Sequence, residues 1–108
     1  MVYIQYMTNT NRIQNIALTN PRQLMQTRVT TPAGFHVLVS TVLLRRGEYE
    51  TMTFAATLDG EVTDWTELDC NRYSTELGAL RGHTQVVTMW YETTMNELPT
   101  PYNFEEND

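Results

Sequence analysis

Between Phe35 and Thr57 the side chains follow a two-residue rhythm that leaves little choice of backbone. Phe35–Leu44 is dense in β-branched and aromatic residues, Arg45-Arg46-Gly47 is a short turn, and Glu48–Thr57 sets Tyr49, Thr51 and Thr53 against Glu50, Met52 and Phe54. Side chains branched at Cβ are stiff at χ1 and sit well on a pleated surface, and the period of two sends alternate residues to opposite faces. The stretch predicts two long antiparallel strands. Gln23–Thr30 reads as a strand before them, joined by the tight connection Thr31-Pro32-Ala33-Gly34, so the middle of the chain is a three-stranded meander. Asp59-Gly60 is a turn signal, and Val62–Asp69 follows as a further short strand or a loop.

From Ser74 the period lengthens. Ser74 or Thr75 can cap a helix, Glu76 places negative charge at the favourable end of the helix dipole, and Ala79, His83, Val86 and Trp90 recur at three- and four-residue steps. A helix over Thr75–Thr94 with one apolar face should therefore pack on the sheet. Pro99 and Pro101 stop any continuation, and 96–108 reads as an acidic tail. At the other end, Met1–Met7 alternates like an edge strand or arm. Residues 8–22 are rich in Asn and Thr, with Ile13, Ile16 and Ala17 spaced for a short helical turn. The expectation is one α+β domain: an N-terminal strand or arm over 1–22, a core over 23–95, and the tail. The core is an antiparallel β-meander of three to five strands with one C-terminal amphipathic helix packed on one face.

Charge bears on partners rather than fold. Residues 1–46 carry five arginines and no carboxylate, a formal +5; the remainder carries thirteen carboxylates against Arg72 and Arg81, a formal −11, and the whole is −6. There is no lysine, so positive charge comes only from guanidinium groups suited to paired hydrogen bonds with carboxylates or phosphates. A net negative chain without interleaved basic and aromatic residues argues against direct nucleic-acid binding. No run approaches the apolar length of a membrane span, and no basic region followed by a long apolar core marks a secretory signal. With Cys70 as the single cysteine, a disulfide framework is excluded and a reducing cytoplasm, that of a host cell, fits best.

The residues that could do chemistry are few. His36 and His83 are the only histidines; His83 falls on the apolar helix face, where a hydrogen-bonded core imidazole is the ordinary outcome, and His36 opens a strand beside Phe35. A hydrolase or nuclease would need one of them to meet a carboxylate in a cleft. Gly82 before His83 would allow close contact between helix and sheet. Cys70 lies beside Asp69 and near Glu67, charges that raise a thiol pKa and weaken the nucleophile. Ser40-Thr41 reads as two hydroxyls facing opposite sides of a sheet. Phosphate loops, metalloprotease motifs and paired-cysteine sites are absent from the sequence, so neither an enzyme nor a cofactor nor a metal is expected.

The acid-rich stretch from Asp59 to Glu76 has two readings: solvated loop charge, or an interaction patch anchored by Trp65 or Tyr73. The candidate partner-binding residues are Trp65, Glu67, Asp69 and Tyr73, with Arg45 and Arg46. On the second reading the partner is a protein with a basic surface. The alternative is a structural or assembly role, in which the basic and acidic halves join successive copies to one another or to a virion component, a homo-oligomer that can be virion-associated.

Three short blocks carry a resemblance: Val39-Ser40-Thr41-Val42; Tyr49-Glu50-Thr51-Met52 with Phe54; and Arg72-Tyr73-Ser74-Thr75 with Ala79 and Gly82-His83. In their order and spacing, over roughly residues 28–90, the chain resembles a family of small bacteriophage-encoded proteins, mostly of unassigned function. Arg45-Arg46-Gly47 stands where that family often has a longer loop containing Gly and His, and Leu77-Gly78 where its helix usually has stronger helix formers. The resemblance implies a β-meander plus helix in a phage accessory protein; together with the acidic patch, the expectation is a non-enzymatic protein that binds and inhibits or redirects a host protein. The resemblance implies no chemistry.

Overall fold

The structure, a computed structural model, describes residues 11–94. Five strands follow one another in sequence order across a single antiparallel sheet: β1 (Ile13–Asn15), β2 (Gln23–Thr30), β3 (His36–Arg45), β4 (Glu48–Ala56) and β5 (Val62–Tyr73). Among the described residues one helix, α1 (Glu76–Glu92), packs on one face. The meander and its helix are those read from the sequence. The arm expected at Met1–Met7 and the tail over 96–108 lie outside the described residues.

Two elements differ from expectation. Ile13–Asn15 is a strand rather than a helical turn, because Ile13, Gln14 and Asn15 stand opposite Val29, Arg28 and Thr27, and the Ile16 amide donates to the Gln26 carbonyl at 2.8 Å. Tertiary pairing satisfies the backbone where the local helical spacing had no neighbours to continue it. β5 is also longer than the stretch to Asp69, continuing to Tyr73 opposite Tyr49. Thr53 pairs with Asp69 but Ala55 with Asp64, so residues 65–68 bulge out of the ladder, an irregularity that re-aims side chains at a sheet edge.

Alternation sorts the two faces. Val29, Val37 and Val39 point to the helix and form the core with Val86 and Trp90, flanked by Leu68, Val87 and Tyr91. Leu38, Ser40 and Val42 point away. The helix starts at its Thr75 cap, whose hydroxyl accepts from the Gly78 amide at 3.0 Å, with Glu76 in the first turn. Its far end is tied at two places: the Trp90 indole donates to Asp69 Oδ2 at 2.9 Å, and the Arg12 guanidinium lies 3.9 Å over the Tyr91 ring and donates to the Tyr91 carbonyl. The last turn has no basic residue of its own, so Arg12 supplies the cation its exposed carbonyls favour.

Close approach of helix to sheet depends on Gly82. A Cβ there would lie 2.1 Å from the Tyr73 ring, which is what fills the space beside the helix. Gly82→Ala gains helix propensity but forces the ring or the helix to move. It should destabilise the domain by about 1–3 kcal/mol or more, read as a lowered urea midpoint at unchanged slope.

Candidate functional site

On the helix side the polar groups are used up in one network. His83, only 1% exposed, places Nε2 2.8 Å from Thr27 Oγ1 and Nδ1 2.7 Å from Thr41 Oγ1. Thr41 in turn meets Thr51 Oγ1 at 2.5 Å, and Thr27 meets Asn15 Oδ1 at 3.2 Å. The neutral ring can donate from one nitrogen and accept at the other, so it bridges two strands from above. Burial pushes its pKa down to about 4. His36 lies on the other face of the sheet: its Nδ1 is 2.8 Å from Thr30 Oγ1, which also accepts from Arg28 Nη1 at 2.6 Å. Burial and the Arg28 charge both lower the His36 pKa. The two histidines therefore share no cleft, and each is held by threonine hydroxyls. Among the described residues no cluster of three His, Cys, Asp or Glu could hold a metal ion.

Cys70 is a poor nucleophile. Its pKa is pushed up to about 11, first by burial, then by its hydrogen bond to Glu50 and the Glu50 and Glu67 charges. Asp69, the neighbour in sequence, faces the other way, towards Trp90. Glu50 is the residue missed in the sequence, a nearly buried carboxylate that accepts from Arg72 Nε at 3.0 Å and from Cys70 Sγ at 3.4 Å. Its place in the alternating phase of Met52 and Phe54, opposite Arg72, was the available signal. Arg72 also reaches Glu48, and a hydrogen bond from Arg45 holds the Glu48 carboxyl below its usual range.

The face away from the helix presents a groove able to receive another molecule. This groove, of about 650 Å3, runs over Ser40, Val42, Met52 and Phe54, with Arg22 on the β2 flank and Trp65 and Glu67 on the β5 flank. Trp65 is 72% exposed, yet its ring is braced edge-on against nearly buried Phe54, with centroids 5.1 Å apart and planes at 63°. The bulge over residues 65–68 is what lifts the indole out of the ladder. Arg22 is fixed by donating to the Leu43 and Leu44 carbonyls. Among the described residues neither Arg22 nor Glu67 has an ion-pair partner.

Of the residues singled out in the sequence, Trp65 and Glu67 come together on this groove. Asp69 and Tyr73 are turned beneath the helix, bonded to Trp90 and packed against Gly82. Arg45 and Arg46 sit at the β3–β4 turn and line a separate hollow of about 890 Å3 with Arg22 and Tyr49. Arg22, Val42, Met52 and Phe54 were not anticipated as site residues; for Val42, Met52 and Phe54 the signal was apolar side chains in the phase of β3 and β4 that faces away from the helix, and Arg22 had none. No protein-family model matches the chain, and neither the curated proteins nor the solved structures contain a match.

His83 gives the fold a pH dependence of definite sign. Its folded pKa of about 4 lies below the ordinary 6.5, so the unfolded chain takes up a proton first as pH falls. The His83 contribution is complete above about pH 6.5 and decays towards pH 4, by at most about 3 kcal/mol. Urea unfolding at a series of pH values should show that loss in the wild type. His83→Gln, less stable at pH 7, should show a flatter profile over the same window.

Proposed function

We propose that the chain is a non-enzymatic phage accessory protein that binds a host protein through the sheet face opposite the helix. The observation that carries this reading is the exposed indole of Trp65, braced on Phe54 at the rim of an apolar groove on a sheet face that α1 does not cover. An aromatic side chain already held in one orientation loses little conformational entropy on binding, which is what makes such residues interface anchors. The groups capable of chemistry point the same way: His83 is sealed under the helix and the Cys70 thiol is held protonated. Glu67 beside Trp65, with Glu61 and Asp64 exposed nearby in the chain, favours a partner with a basic surface. Nucleic-acid-handling and defence proteins present such surfaces, and occupying one would inhibit or redirect its owner.

Affinity capture of the tagged protein from nuclease-treated host lysate, at low and high salt, tests this. A stoichiometric partner should be retained at low salt and reduced at high salt. Trp65→Ala should weaken its binding by about thirtyfold, the scale of a 2 kcal/mol anchor. Glu67→Gln should weaken it less and flatten the salt dependence. Retention by Trp65→Ala equal to that of the wild type, with an unchanged melting profile, would sink the reading.

A further inference from the structure

The groove has features that a two-fold axis lying in the plane of the interface, along the strands, would make self-complementary. Its knob, Trp65, stands on the β5 flank; its hollow extends across Val42 and Met52 towards the β2 flank. Its two charges, without ion-pair partners among the described residues, are opposite in sign and sit on those opposite flanks, Glu67 beside the knob and Arg22 beyond the hollow. Rotation by half a turn exchanges the flanks. The indole of one copy is then carried over the hollow of the other, and Arg22 of each over Glu67 of the other, as an isologous interface requires.

We propose that this face is a self-docking surface: two copies pack face to face, each Trp65 seated in the other's groove and each Arg22 paired with the other's Glu67. The inference rests on the reading of this face as a protein-binding surface, and it names a second copy as the occupant in the free protein. Sheets stack about 10 Å apart with strands offset by about 30°, a geometry open to a twisted sheet whose other side is already covered. The two cross-pairs fix register, since a copy rotated any other way sets arginine over arginine or leaves the indole in water. Arg22 is suited to the role because its guanidinium is anchored on the Leu43 and Leu44 carbonyls without being neutralised by them.

Each copy carries a net −6, which opposes association at long range. Salt screens that repulsion more than it screens pairs withdrawn from solvent. Self-docking should therefore hold or tighten as ionic strength rises to physiological values, the opposite of the response expected for a basic partner.

Sedimentation equilibrium of the full chain over a wide concentration range tests the proposal. The wild type should approach twice the chain mass, and R22E or E67R alone should weaken association by about tenfold or more. The double reversal R22E/E67R restores both cross-pairs with their signs exchanged and should return association to near the wild-type value. Trp65→Ala should leave a monomer. Thermal melts of all variants exclude unfolding as the cause, since all three side chains lie on the surface. A wild type that stays monomeric throughout, or a double variant no better than the single ones, overturns the proposal. Monomeric wild type with capture lost in Trp65→Ala leaves partner binding standing and removes self-docking alone. Dimers rescued by the double reversal, with capture indifferent to Trp65, would do the reverse.

Discussion

His83 stands between Thr27 and Thr41 with a hydrogen bond at each ring nitrogen, and the placement of everything else on the helix side follows from that bridge. A buried imidazole left with one nitrogen unpaired would cost about 1–3 kcal/mol. The helix can therefore neither slide by one residue nor rotate without that penalty, whereas Val86 and Trp90 alone would tolerate small shifts in an apolar core. Asn15 and Thr51 complete the chain of hydroxyls and amide beneath it, so β1, β2, β3 and β4 are all linked to one residue of α1. Polar specificity is added here to a cluster that, among the described residues, consists of four valines and Trp90.

Because the helix is fixed over the sheet in this way, it covers one face and no other described element covers the rest. The alternation of β3 and β4 makes that consequential, since both phases carry apolar side chains and the second phase is left as the floor of a groove. The bulge in β5 then determines what stands at its edge. A regular ladder from Asp64 to Asp69 would keep Trp65 in line with its neighbours; the extra residues let it rise and rest on Phe54. The same irregularity separates Trp65 and Glu67 from Asp69, which is turned under the helix to hold Trp90.

The meander also converts a feature of the linear sequence into one of space. Strand order equals sequence order, so the basic first part of the chain becomes the β1–β3 side of the sheet, and the acidic remainder supplies β4, β5 and the helix. A crossover connection would have mixed the two signs. The lateral polarity places Arg22 and Glu67 on opposite flanks of one groove and Arg72 among the carboxylates that restrain it. The exposed pairs of Arg45 and Arg72 with Glu48 contribute little to stability and act on local conformation and steering instead.

The amino-acid sequence by itself determined the strands from Gln23 to Ala56, the helix with its cap and buried stripe, and the place of His83 on that buried stripe. Each depends on local periodicity, on turn chemistry, or on the burial that periodicity implies. Only the tertiary structure decided the strand at Ile13–Asn15, the bulge, the nearly buried Glu50, and the parting of Trp65 and Glu67 from Asp69 and Tyr73. These depend on which residues face one another across strands, and on a two-residue period a bulge reverses every assignment beyond it. A run of acidic and aromatic residues therefore announced a surface, but the register of β4 against β5 selected which of its members reach that surface.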